Sequence, residues 1–291
     1  MMSDLVFLHH QYGKKHEQAC LNYLLKISNF LGPDLRPIII ITDNKPTQKK
    51  MKDHSISNNI HFLKASNQYK EFSGWQTGLD YVRDQLKIDS FNLIVSNDTF
   101  FTHRVFDNAI FLAFIAGFKK CFHCNYPAAC GQVDSIDARP PYILDSVNEY
   151  ISTYLWAINA QGISRIDKFI NPDIFQIFNN KSDLFSIFDF AKFNRSEYIN
   201  FIEELLYKSS KRKHKWHGFK SLDINNLEAM KLKAFSILNE HWLSAVFRLK
   251  EIEIIDISVY IKRSGYSVII YRLNKALYSI KWRIVKLVKN V

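Results

Sequence analysis

Apolar and polar positions follow two different periods along the first 130 residues. Short continuous apolar runs at residues 4–10 (DLVFLHH), 36–43 (RPIIIITD), 59–66 (NIHFLKAS) and 91–98 (FNLIVSND) read as strands. The second is an unbroken β-branched run, the kind a parallel sheet buries on both faces. Between them, residues 15–31, 74–86 and 105–118 place apolar side chains near i, i+3, i+4 spacing, which predicts helices, with Gly32-Pro33 ending the first. Residues 120–126 (KCFHCNY) are predicted as a further strand. Strands alternating with helices predict an α/β chain: a mostly parallel sheet with helices on both faces.

The pattern changes in the second half. Residues 150–160 (YISTYLWAINA) read as a long strand, helices follow near 182–190, 195–208 and 224–248, and 253–260 reads as a strand-like return. No repeat and no Gly/Ser- or Pro-rich linker interrupts this. The chain reads as one domain over residues 1–260, with a first half at 1–130 and a second at 131–260, followed by a C-terminal segment at 261–291.

Composition narrows the class. With 291 residues, 47% of them apolar and including 23 Phe and 14 Tyr, the chain has enough for a full core. The start, MMSDLVFLHH, lacks the basic flank and long apolar stretch of a signal peptide, and the longest apolar run, residues 109–118, is half of what a bilayer span needs. The expected location is the cytoplasm. Of the four cysteines, Cys121 and Cys124 form a lone Cys-x-x-Cys around His123; structural zinc usually takes two such pairs, and buried thiols are the expected state.

The net charge of +11 is unevenly spread. Residues 208–220 (KSSKRKHKWHGFK) carry six Lys/Arg and no acid, and residues 257–291 carry eight and no acid. Without these two patches the rest has 25 basic and 28 acidic residues, so the body is slightly acidic. Nucleic-acid binding, suggested by the basic run with its Trp and His, loses ground on this distribution, and no zinc finger or recognisable helix-turn-helix supports it. In 266–290, Leu273, Leu277, Ile280, Ile284, Leu287 and Val288 fall on one helical face with Lys and Arg mostly opposite. Such a basic amphipathic helix is expected on an anionic membrane surface, with docking on the protein's own core as the alternative.

The chemistry gathers at strand ends. The strand at 91–98 runs from Leu93-Ile94-Val95 straight into Ser96-Asn97-Asp98, the second strand ends in Thr42-Asp43-Asn44, and the third leads to Asn67, Gly74 and Gly78. An Asn-Asp turn is the plain explanation of the fourth strand's tip. A ligand site is the other, because parallel strands put all these ends on one edge, where open α/β sheets bind ligands. Carboxylates and amides beside a helix start suit a hard divalent ion and a phosphate. Neither a G-x-x-x-x-G-K-[ST] nor a G-x-G-x-x-G stretch occurs, which argues against a P-loop or dinucleotide site.

These segments resemble glycosyltransferases of the GT-A fold, especially family 2 and the rhamnan-synthesis type. IIIITDN is similar to their V-D-N strand end at Asp43 and Asn44. SNQYKEFSGWQTGLDYV is similar to their N-x-G segments at Asn67, Gly74 and Gly78, and LIVSNDT to the L-N-D-S form of the D-x-D motif. EYISTYLWAINAQGISRI looks like their later S-Y-F strand. The resemblance covers residues 4–165, with a weaker match at 236–258. It implies a GT-A fold, here with a C-terminal helical extension. It implies transfer of a sugar from a nucleotide-sugar donor to an acceptor hydroxyl of a glycan or lipid-linked acceptor, in polysaccharide biosynthesis on the inner face of the cell membrane.

The resemblance also implies roles. His9, Asp43, Asn44, Asn67, Gly74, Trp75, Asn97 and Asp98 would bind the nucleotide sugar. Asp98 would hold a divalent metal, Mg or Mn, although Ser96 stands where D-x-D has its first Asp. Glu240, in ILNEHWLSAVFRLK, would be the base that removes the acceptor proton, with Asp134 and Asp137 as competing carboxylates near the acceptor. His241 is expected to be structural. Trp75 is read as a stacking platform or as core. The missing Asp leaves a noncatalytic protein of the same fold open.

Overall fold

The computed structural model describes residues 4–12, 17–32, 37–44, 59–98, 100, 108–135, 149–172, 174 and 227–263. Their strands are β1 (Asp4–Gln11), β2 (Ile38–Asp43), β3 (Ile60–Lys64), β4 (Phe91–Asn97), β5 (Ala128–Ser135), β6 (Glu149–Ile158) and β7 (Glu253–Asp256). The helices are α1 (Glu17–Leu31), α2 (Glu71–Asp80), α3 (Asn108–His123), α4 (Ala160–Ile163), α5 (Leu227–Leu249) and α6 (Ser258–Arg263).

The strands form one seven-stranded sheet in the order β3-β2-β1-β4-β6-β5-β7. Only β6 runs against its neighbours; every other pairing is parallel. This is a mostly parallel sheet in an α/β fold, as the sequence predicts. Strands from both halves of the chain share it.

Alternation along the strands feeds two cores. Leu5 and Phe7 of β1 join Ile41, Leu24 of α1 and Phe114 of α3 on one side; Val6 and Leu8 join Trp75 of α2, Trp156 and Phe247 of α5 on the other. Both sides of the central strands are apolar, which is why β2 can be a bare isoleucine run.

Several boundaries differ from expectation. Residues 120–123 are not strand: α3 continues through His123, and the strand is Ala128–Ser135. In α3, Phe118 and Cys121 keep the helical spacing of its buried face. The run at 253–260 splits into β7 and α6 because Asp256 caps the turn, its Oδ1 accepting the Ser258 N–H at 3.0 Å. α2 starts at Glu71, three residues early, and runs on into a π-helical turn at Tyr81–Gln85. Arg83 of that turn donates to the carbonyls of Ile163, Ile166 and Asp167 at 3.0, 2.7 and 3.1 Å, tying α2 to the chain after β6. The helices expected at 182–190 and 195–208, and the segment 266–290, lie outside the described residues.

Candidate functional site

Register brings the strand tips together. Gln11 pairs with Asp43 and His10 with Asn97, so β1, β2 and β4 end on one line. Because β6 is reversed and Ser96 pairs with Leu155, the residues preceding Leu155 extend past the same edge. α5 packs on β6 there: the Ile151 N–H donates to Ser244 Oγ at 3.1 Å, and the Thr153 N–H donates to Glu240 Oε1 at 2.6 Å. The reversed strand thus carries Glu240 to the edge that holds Asp98.

Asp98 is buried, and its Oδ2 accepts the Tyr12 N–H at 3.1 Å. The Tyr12 hydroxyl donates to Glu71 Oε2 in a short contact and accepts the Glu71 N–H at 2.8 Å. Ser236 Oγ of α5 donates to the other oxygen, Oε1, at 3.0 Å. Asp98, Tyr12, Glu71 and Ser236 therefore form one chain of hydrogen bonds, and Glu240 lies one helical turn beyond Ser236.

The two glutamates of this edge are driven apart. Burial pushes the Glu71 carboxyl up, but Lys233 and the hydroxyls of Tyr12 and Ser236 outweigh it and hold the pKa below the ordinary value. Burial raises Glu240 to about 7, only partly offset by its bonds to Thr153 and by Lys233, while Glu71 adds to the rise. One carboxylate stays ionised and the other exchanges a proton near neutrality, the division of roles that acid–base sites use.

The histidines of β1 point to opposite faces. His9 falls on the α1 side, where its Nδ1 shares a 2.9 Å hydrogen bond with Ser96 Oγ and its buried Nε2 has no hydrogen-bond partner among the described residues. His10 falls on the α2 side, bonded through Nδ1 to Thr42 Oγ1 at 3.0 Å and set edge-on to Tyr12 at 4.8 Å. Burial lowers their pKa values to about 3 and about 4, so both are neutral at physiological pH. His10, rather than the expected His9, adjoins the Tyr12–Glu71 cluster.

Gly74 is required by this packing. A Cβ there would sit 2.1 Å from His10 Nδ1 and 2.4 Å from Thr42 Oγ1. Trp75 corrects the stacking expectation: it is fully buried and its Nε1–H donates to the Ser96 carbonyl at 2.9 Å, leaving no open ring face for a ligand. Asp43 and Asn97 are buried at the strand tips, and Asn44 is half-buried beside them. The buried Oδ1 of Asn67 has no hydrogen-bond partner among the described residues, the condition a donor from a ligand would relieve. Asp134, half-buried near the end of β5, accepts from Gln132 Nε2 at 3.1 Å; Asp137 lies outside the described residues. His241 is fully buried against Tyr150, in line with a structural role.

No group of three or more His, Cys, Asp or Glu among the described residues could hold a metal ion. Cys121 and Cys124 are thiols whose Sγ atoms bond the carbonyls of Ala128 and Lys120. Ser96 does not replace the first Asp of D-x-D, since its hydroxyl is engaged by His9. Among the described residues of the edge, Asp98 and Asp43 are the carboxylates at the strand tips. That suits an ion such as Mg, which takes one or two carboxylates and draws the rest of its shell from substrate phosphates and water.

Sequence reasoning does not single out Tyr12, Glu71, Thr153, Lys233 or Ser236. The available signal was a Glu three residues before a predicted helix on a polar edge.

No protein-family model and no curated protein matches the chain. Among solved structures, a crystal structure of 4-diphosphocytidyl-2C-methyl-D-erythritol synthase aligns with 69% of this chain and 98% of its own, at 11% identity and a TM-score of 0.32. A likeness that slight bears on neither substrate nor activity.

Proposed function

We propose that this chain is a glycosyltransferase that moves a sugar from a nucleotide-sugar donor to an acceptor hydroxyl. The observation that carries the reading is Glu240: a carboxylate with a pKa raised to about 7, held by the Thr153 N–H at the sheet edge that bears Asp98. A general base works best when its pKa lies near the working pH. Ionised Glu240 takes the acceptor proton as the acceptor oxygen attacks the anomeric carbon. The strand tips and the Asn67 loop bind the donor, with a ribose hydroxyl or base N–H satisfying Asn67 Oδ1. Asp98 would hold the divalent ion, which supplies positive charge to the diphosphate.

The acceptor in this reading is a glycan, lipid-linked in the fuller version, reached through a basic C-terminal segment resting on an anionic cytoplasmic membrane face. No helix among the described residues is long and apolar enough to cross a membrane. The test is release of nucleoside diphosphate from a panel of nucleotide sugars, with Mg, with Mn and with chelator, by wild type and Glu240→Gln. Release that rises with pH through about 7 in wild type and is lost in the variant supports the reading. A panel that yields no release under any condition removes it, leaving a noncatalytic protein of this fold.

A further inference from the structure

The loop from β3 to α2 presents an arrangement that the strand-tip reading does not use. Lys70 has φ 55° and ψ −142°, a positive-φ conformation that strains any residue but glycine. Its neighbours impose it. The Lys70 N–H donates to the Asn67 carbonyl at 3.3 Å, the Ser73 N–H donates to the Lys70 carbonyl at 3.2 Å, and the Tyr69 N–H donates to Ser73 Oγ at 2.7 Å. The Tyr69 ring rests on Phe235 of α5, 5.3 Å between centroids. The loop is thereby clamped against α5 where α5 carries Lys233, one turn before Ser236, whose hydroxyl bonds Glu71.

Two half-buried lysines therefore lie near Glu71 from different elements, Lys70 as its chain neighbour and Lys233 one turn from the Ser236 that bonds it. Burial lowers the Lys70 pKa, Glu71 opposes that, and Lys233 lowers it further, as two neighbouring ammonium groups must. Glu71 interacts electrostatically with both lysines, while its two oxygens accept hydrogen bonds from the Tyr12 and Ser236 hydroxyls. The ion pairs among the described residues, Arg165–Glu251, Lys231–Glu228 and Arg248–Glu149, use neither. Like charges gathered partly out of water repel, and a bound anion turns that repulsion into charge-assisted hydrogen bonds. The amino-terminal end of α2, which favours negative charge, lies at the same place.

We propose that Lys70 and Lys233 form the cradle for the diphosphate of the nucleotide donor and take up the charge of the departing nucleoside diphosphate. The inference rests on the glycosyl-transfer reading and adds the residues that hold its leaving group. In the transfer, the bond between the anomeric carbon and the β-phosphate oxygen breaks and its electron pair stays on that oxygen. The acceptor oxygen bonds to the anomeric carbon, and the acceptor proton goes to Glu240. The diphosphate gains one negative charge facing two ammonium groups. With Ser96 in place of a carboxylate, the lysines supply positive charge from the protein itself.

The experiment is calorimetric titration of the full chain with UDP, CDP, GDP and ADP and the matching monophosphates, in chelator and in Mn. The proteins are wild type, Lys70→Gln, Lys233→Gln and Lys233→Arg. Expected is a diphosphate that binds wild type in chelator at least tenfold more tightly than its monophosphate. Either glutamine variant should lose at least tenfold of that affinity, and the arginine variant should retain most of it. If a diphosphate binds and neither glutamine variant weakens it, or if the monophosphate binds equally well, the lysine cradle is wrong while the donor reading stands. The diphosphate-to-monophosphate ratio needs only wild type, so it decides even where a variant fails to fold. If no nucleoside diphosphate binds wild type with or without Mn, the donor reading falls and the cradle with it.

Discussion

The two sides of the candidate site answer pH in opposite directions. At the β1 tip, His9 and His10 are buried and neutral, with pKa values of about 3 and 4 against an ordinary 6.5. The unfolded chain binds more protons than the fold between those values, so this side loses stability as pH falls from 6.5 toward 4. Across the edge, Glu240 titrates near 7 against an ordinary 4.5. There the fold binds the extra proton, so this side loses stability as pH rises from 4.5 through 7. The histidines serve packing and are kept uncharged throughout. The glutamate costs stability in the ionised form, the form the proposed base requires.

The comparison can be broken in several places. The largest effect is expected for Asp98→Ala, which removes the carboxylate proposed to hold a donor-bound ion; turnover should fall roughly a thousandfold. Asp98 sits at a strand tip, so the fold should survive, with the circular dichroism melt lowered by the loss of the Tyr12 N–H bond. Activity within tenfold of wild type would remove Asp98 from the donor site. Glu240→Gln keeps the Thr153 contact but not the basicity, and turnover should drop about a hundredfold with nucleotide affinity unchanged. A larger turnover loss in Asp134→Asn would move the base to β5.

Smaller effects sharpen the comparison through stability. Gly74→Ala pushes a methyl group into the His10–Thr42 hydrogen bond and should destabilise by about 1–3 kcal/mol in urea unfolding. An unchanged midpoint would mean that this contact relaxes freely. Glu240→Gln should melt higher than wild type at pH 8 and equally at pH 4.5, by roughly 2–4 °C for each kcal/mol recovered. Equal melting at both pH values would place Glu240 in an ordinary solvated setting.

The sheet was legible because its strands are continuous apolar runs, as in Ile38–Ile41, and their polar ends at Asp43 and Asp98 locate the edge by topology alone. Glu240 was reached through resemblance, since the α5 periodicity gives no sign of which polar residue meets β6. What stayed hidden depends on contacts between distant segments. Tyr12 looks like a loop residue until it meets Glu71, 59 positions on, and Ser236 is 165 positions from the carboxylate it bonds. Trp75 misled because its type suits a platform or a core equally, and only the Ser96 carbonyl decides between them. The strand expected at 120–126 failed for a local reason: an apolar run with two cysteines fits the buried face of a helix as well as a strand.

Main-chain amides hold both carboxylates assigned to the chemistry, Tyr12 N–H for Asp98 and Thr153 N–H for Glu240. A backbone donor does not depend on the side chain attached to it. Proline at 153, which lacks the N–H, must therefore break the grip, while other residues keep the amide bond and give up only the one from the Thr153 side chain. For redesign, Glu149, the exposed residue of the reversed strand, is the position on it that can be rewritten while the proposed base stays moored.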